Sequence, residues 1–141
     1  MDCLTYSKKG FNCAESTLLA LSDHMGISCE CIPRIATGFG GGMMTGNVCG
    51  AVSGSIMAFG LKYGRIEGED KENAGKVDRL TKQLVTQFEE HHGSILCKEL
   101  TGVDLRTQEG RNQYKTENIH EKCLDYIVTA VRIAGSLLPS E

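Results

Sequence analysis

The chain has 141 residues, 40% of them apolar and 23% charged, which suits one domain over 1–141 that buries its own core and excludes a disordered tail. Lys and Arg number 15 against 18 Asp and Glu, a net charge of −3. No basic surplus exists to release counterions from a phosphate backbone, so nucleic acid is excluded as a partner. Two residue types exceed ordinary usage, with 17 glycines and seven cysteines.

The amino-terminal stretch, Met1 to Lys9, has no apolar run behind its two lysines, so no export signal is visible and a reducing, cytoplasmic location is expected. In such a compartment, an odd number of cysteines spread from Cys3 to Cys123 points to buried thiols, metal ligands or cycling redox groups rather than permanent disulfides. Cys3 itself falls in a terminus expected to fray.

In chain order, Asn12 with Glu15 makes a capping box, and Ala14, Leu18, Leu21 and Met25 repeat at helical spacing until Gly26. Pro33 suits the first turn of a short helix ending at Gly38. Next comes a glycine loop with Gly38, Gly40, Gly41, Gly42 and Gly46. From Val48 to Tyr63 the chain is apolar or small all round, as a buried central helix requires, and Gly50 and Gly54 let a neighbouring backbone approach closely. Gly64 can cap its end. The uncharged stretch between Arg34 and Lys62 exceeds the ~20 residues of a spanning helix. Its glycine loop could not satisfy its backbone in lipid, so no membrane insertion is expected.

Acids at Glu67, Glu69, Asp70 and Glu72 then precede an amphipathic pattern of Val77, Leu80, Leu84 and Phe88, which closes at His91, His92 and Gly93. The two histidines read as a solvated helix end; adjacent positions diverge by about 100° and share no metal face. Ser94 starts a short helix carrying Leu96 and Leu100 and closed by Gly102. Residues 103–117 are polar and read as a connecting loop. Asn118 with Glu121 caps a last helix whose stripe is Ile119, Cys123, Ile127, Val131, Ala134 and Leu138. No period-2 strand appears. The expected fold is an all-α helical bundle of about five or six helices around a buried, glycine-rich central helix.

On this reading Cys13 holds the first position of one helix, Cys49 opens the central helix, and Cys97 lies three residues past the Ser94 cap. Free N–H groups and the positive end of the helix dipole favour thiolate there, the form that attacks disulfides or binds metal. The plain alternative is a small buried hydrophobe. Cys123 sits on the buried stripe, as core or as a ligand or resolving thiol. Cys29 and Cys31, two residues apart, are not expected to close a disulfide with each other and read as bystanders. There is no Cys-x-x-Cys, so neither a thioredoxin site nor a zinc ribbon is indicated. The glycine loop matches neither Gly-x-Gly-x-x-Gly nor a Walker sequence, since Asn47 and Val48 stand where Lys and Ser or Thr belong. Gly40, Gly41, Gly42 and Gly50 remain candidates to cradle an anion, a cluster sulfide or a sulfur substrate, or simply permit a tight turn. No Ser-His-Asp or paired-carboxylate arrangement is assignable.

The stretches Gly38-Phe-Gly-Gly-Gly-Met, Cys49-Gly-Ala-Val-Ser-Gly54 and Gly60-Leu-Lys-Tyr-Gly64 resemble the C_GCAxxG_C_C family of redox-active proteins over nearly the whole chain. Its four cysteines match Cys13 in Asn12-Cys13-Ala14-Glu15, Cys49, Cys97 in Gly93-Ser94-Ile95-Leu96-Cys97, and Cys123, the last by order and distance. Cys3, Cys29 and Cys31 are additions to the four. The resemblance implies a prokaryotic redox protein with a functional link to a transporter, and redox use of the four thiols.

Three functions follow. In the first, Cys49 is the attacking thiolate of a thiol-disulfide oxidoreductase, Cys97 or Cys13 resolves, Cys123 stands in reserve, and an unidentified redox partner exchanges electrons. In the second, Cys13, Cys49, Cys97 and Cys123 hold an iron–sulfur cluster or another soft metal. The third is a helical oligomerisation or transporter-accessory protein with merely buried thiols. Self-association into a homo-oligomer is expected, and the Gly50 and Gly54 face allows tight helix pairing within or between chains.

Overall fold

The structure, a computed structural model, describes residues 3–141; Met1 and Asp2, the head of the segment read for an export signal, lie outside the described residues. It is all-α. The described residues form seven α-helices and one 3-10 helix, more than the five or six expected. They are α1 (Thr5–Lys8), α2 (Cys13–Met25), the 3-10 helix Arg34–Phe39, α3 (Gly50–Tyr63), α4 (Lys71–His92), α5 (Cys97–Thr101), α6 (Gln108–Thr116) and α7 (His120–Leu137).

Local chemistry accounts for most boundaries. At α2 the Asn12 side chain accepts from the Glu15 N–H while Glu15 Oε1 accepts from the Asn12 N–H, both at 2.9 Å, and Gly26 closes the helix at φ 69°. The same corner reaches outward: Asn12 Nδ2 donates to the Thr37 carbonyl at 3.0 Å and the Thr37 hydroxyl donates to Glu15 Oε2 at 2.7 Å, which ties the 3-10 helix to the start of α2. Asp70 caps α4 by accepting from the Asn73 N–H.

Several expectations are corrected. Within 103–117, Thr107 accepts from the Gly110 N–H and starts α6, a polar helix without an apolar run to announce it. Asn118 does not cap α7 with its side chain: it sits at φ 52°, and its carbonyl accepts the Glu121 N–H instead. Ser94 does not begin α5, which starts at Cys97; its hydroxyl only accepts from the Leu96 N–H. Cys3 is half-buried and packed on the core rather than frayed.

Helix α3 is the centre. It packs on α2, α4 and α7, while α7 also contacts α2 and α4. The shared core includes Leu18, Leu21, Val52, Phe59, Leu84, Phe88 and Ile127, all fully or almost fully buried. The close crossing of α2 and α3 depends on Gly54: a Cβ there would come within 2.6 Å of the Ala14 carbonyl oxygen. Among the described residues no helix is long and apolar enough to cross a membrane.

Candidate functional site

Two short segments bring distant cysteines together. Val48 and Leu96 form an isolated antiparallel bridge, in which the Cys49 N–H donates to the Ile95 carbonyl at 2.7 Å and the Cys97 N–H donates to the Asn47 carbonyl at 2.6 Å. Alternation of side chains along extended backbone then puts Cys49 and Cys97 on the face opposite Val48 and Leu96. Cys49 occupies the N-cap position of α3 and Cys97 the first position of α5. Cys13 begins α2 and reaches the same place across the α2–α3 crossing, with its Sγ 2.4 Å from the position a Gly50 Cβ would take. Only glycine fits at 50.

The four sulfurs line one small cavity. Its walls include Cys13, Cys49, Cys97 and Cys123 together with Tyr114 and Tyr126, and its volume is about 20 Å³, room for roughly one water. Cys49 and Cys97 are buried, Cys13 and Cys123 half-buried. Tyr114 on α6 shares a hydrogen bond with Cys123 Sγ at 3.4 Å. The Tyr126 hydroxyl on α7 donates to the Leu100 carbonyl at 2.7 Å, and its ring packs edge-on against His92, 4.8 Å between centroids. His92 is therefore no solvated helix end. It is half-buried, its Nε2 is 2.8 Å from the Thr129 hydroxyl, and burial holds its pKa below the ordinary imidazole value.

Gly41 and Gly50 line the cavity, whereas Gly40 and Gly42 serve close packing behind it. A Cβ at Gly40 would strike the Asn12 side chain, and one at Gly42 would lie 2.5 Å from the Asn47 carbonyl oxygen and 2.8 Å from Cys97 Cβ. The loop makes a left-handed turn, with φ of 61° and 63° at Gly41 and Gly42 continuing at 60° and 62° through Met43 and Met44. For each methionine this conformation costs about 1–2 kcal/mol. Backbone strain of this kind gathers at functional sites.

The expected ionised thiolate is not what this pocket favours. Burial pushes the Cys49 thiol far above its ordinary range, the neighbouring Cys13 pushes it further, and the N–H groups of Ala51 and Val52 oppose this only in part. Burial, then Cys123 and Cys13, raise Cys97 to about 11. Cys123 is raised by burial and lowered in part by the Tyr114 hydroxyl. The dipole argument loses for two reasons. The amide N–H groups of Cys49 and Cys97 are spent on the bridge, and removing a sulfur from water outweighs the partial charge of a helix end.

Sequence reasoning misses Tyr114 because residues 103–117 read as a connecting loop, and Tyr126 because it falls off the apolar stripe by which the last helix is recognised. It also placed Cys29 and Cys31 wrongly. They form a disulfide with Cα atoms 5.4 Å apart, a separation that a turned backbone supplies even at a spacing of two. Among the described residues no group of three or more His, Cys, Asp or Glu side chains is arranged to hold a metal ion.

Comparison with known proteins agrees with the four-cysteine pattern. Residues 11–137 match the family described as "Putative redox-active protein (C_GCAxxG_C_C)". A protein of Archaeoglobus fulgidus, described as an uncharacterized protein, is 30% identical over 139 residues, covering 92% of this chain and 86% of its own length. No solved structure matches. With its four family cysteines gathered around a single cavity, this chain belongs to the C_GCAxxG_C_C family of redox-active proteins.

Proposed function

We propose that the four-cysteine pocket carries out two-electron dithiol/disulfide exchange, with Cys13 as the sulfur that meets the partner and Cys49 as the resolving thiol. The observation that supports this reading is the position of Cys13: it is half-buried at the first position of α2 and lines the same small cavity as Cys49, Cys97 and Cys123. Cys49, buried and held protonated, is poorly suited to open the reaction.

The Cys13 thiolate attacks a partner disulfide, a mixed disulfide forms, and the partner's first sulfur leaves with the electron pair and takes a proton. Cys49 then attacks Cys13 Sγ, the second partner sulfur leaves and takes the Cys49 proton, and the protein is left with a Cys13–Cys49 disulfide. Two protein thiols have been oxidised and one partner disulfide reduced. The buried Cys49 proton leaves only as the departing partner sulfur takes it up, which keeps Cys49 from reacting with bulk oxidants before Cys13 has captured a partner.

The same sulfurs are the donor set of the soft-metal and iron–sulfur alternative. The residues as they stand do not fit it, since the cavity has the volume of one water and the thiols are not arranged around a common ion.

Stopped-flow exchange with a chromogenic aromatic disulfide separates the roles. Cys13→Ser should slow the first release of aromatic thiol by about tenfold or more. Cys49→Ser should leave that step within about twofold but halt as a mixed disulfide on Cys13, visible as added mass. Undiminished exchange by Cys13→Ser would overturn the assignment.

A further inference from the structure

Cys29 and Cys31 lie in the turn between α2 and the 3-10 helix, outside the four-thiol cavity, and nothing in the family pattern uses them. Both are exposed and joined as a disulfide. Beside them runs a groove of about 250 Å³ whose walls are Leu18, Ile32, Ile35, Met57 and Leu61, with Gly60 at one side and Cys31 itself in the lining. Cys29 is not part of that lining. Ile35 stands 60% exposed at its edge. Of the two disulfide cysteines, Cys31 is therefore the one that borders this apolar space.

We propose that the Cys29–Cys31 disulfide is a second redox site, which oxidises small thiols bearing an apolar substituent and receives that substituent in the groove beside Cys31. An apolar group laid along Leu18, Ile35 and Met57 gains burial and brings its own sulfur next to Cys31. A charged thiol in the same place loses water without finding a partner, because the walls offer no polar side chain. The disulfide decides the occupant: only a thiol gains a reaction there. The exposure of both cysteines gives access, which exchange requires.

The thiolate of the first substrate molecule attacks Cys31 Sγ; a bond forms between the two sulfurs, the Cys29–Cys31 bond breaks, and the electron pair and a proton go to Cys29. A second substrate thiolate attacks the substrate sulfur of this mixed disulfide, releases the Cys31 thiol with the second proton, and leaves the substrate as its own disulfide. Two thiols lose two electrons and two protons to Cys29 and Cys31. The four-thiol pocket takes no part, so this site stands or falls apart from it.

The test uses the full chain, oxidised, with the other five cysteines in place. Benzyl mercaptan and the anionic 2-mercaptoethanesulfonate are compared at equal thiolate concentration, with acid quench, alkylation and peptide mass spectrometry at Cys29 and Cys31. The expected result is reduction about tenfold faster by benzyl mercaptan, with the first adduct on Cys31. Ile35→Ser, at an exposed position that leaves folding intact, should bring the preference to within about twofold while the anionic thiol keeps its rate. Equal rates for the two thiols, a first adduct on Cys29, or an unchanged preference in Ile35→Ser would each overturn the proposal. So would finding both cysteines as thiols in the oxidised protein.

Discussion

At Cys97 local and tertiary chemistry point in opposite directions. The first position of a helix favours a thiolate, yet burial against Leu100 and the neighbouring sulfurs raises the thiol from an ordinary 9.0 to about 11. Above pH 9 the unfolded chain loses this proton and the folded chain keeps it, so the folded state binds more protons and stability falls with rising pH. The contribution is complete below about pH 9 and declines as pH climbs towards 11. Urea unfolding at neutral and alkaline pH should show the midpoint dropping with pH, and Cys97→Ser should flatten part of that drop. A midpoint that holds or rises in the alkaline range would contradict the burial. The same residue shows what a sequence conveys about a site. Position on a helix is legible from caps and glycines; desolvation depends on what α5, α6 and α7 bring to the sulfur, which no spacing reveals. His92 was misread for that reason, its ring covered by Phe88 and Tyr126 from another turn and another helix.

Among the elements, those with strong terminal signals were legible and those without were not. Helix α2 was readable from Asn12, Glu15 and Gly26, and α4 from Asp70 and Gly93. Helix α6 was not, because Gln108–Thr116 has no apolar repeat and one buried residue, Gly110, so only the Thr107 cap could have marked it. A close approach at Gly50 and Gly54 is legible in the sequence, but not that α2 is the helix that makes it, and the tightness of the crossing is measurable. Gly54→Ala places a methyl 2.6 Å from a backbone oxygen that cannot give way, so the loss to overpacking of about 1–3 kcal/mol should outweigh the gain in helix propensity. Gly60→Ala, on the same helix with nothing within 4 Å, should instead stabilise by about 0.4–1 kcal/mol. Denaturant midpoints that move the same way for both variants would contradict a close α2–α3 contact at Gly54.

Across the whole molecule, the fold gathers cysteines that are up to 110 positions apart in the chain, from Cys13 to Cys123, around a cavity large enough for about one water. Helix starts supply three of them and the fourth residue of α7 the last, while the bridge at Val48 and Leu96 joins two of the segments directly. That the four belong together was legible only through the family pattern; that burial holds the Cys49 and Cys97 thiols protonated was legible only from the packed structure. The most direct measurement starts from fully reduced Cys29→Ser/Cys31→Ser protein, oxidised with one equivalent of the two-electron oxidant diamide and mapped by peptide mass spectrometry. A Cys13–Cys49 linkage within one chain is the predicted product. Linkage between chains, or Cys13 and Cys49 both recovered as thiols while Cys3 is consumed, would contradict a shared redox pocket.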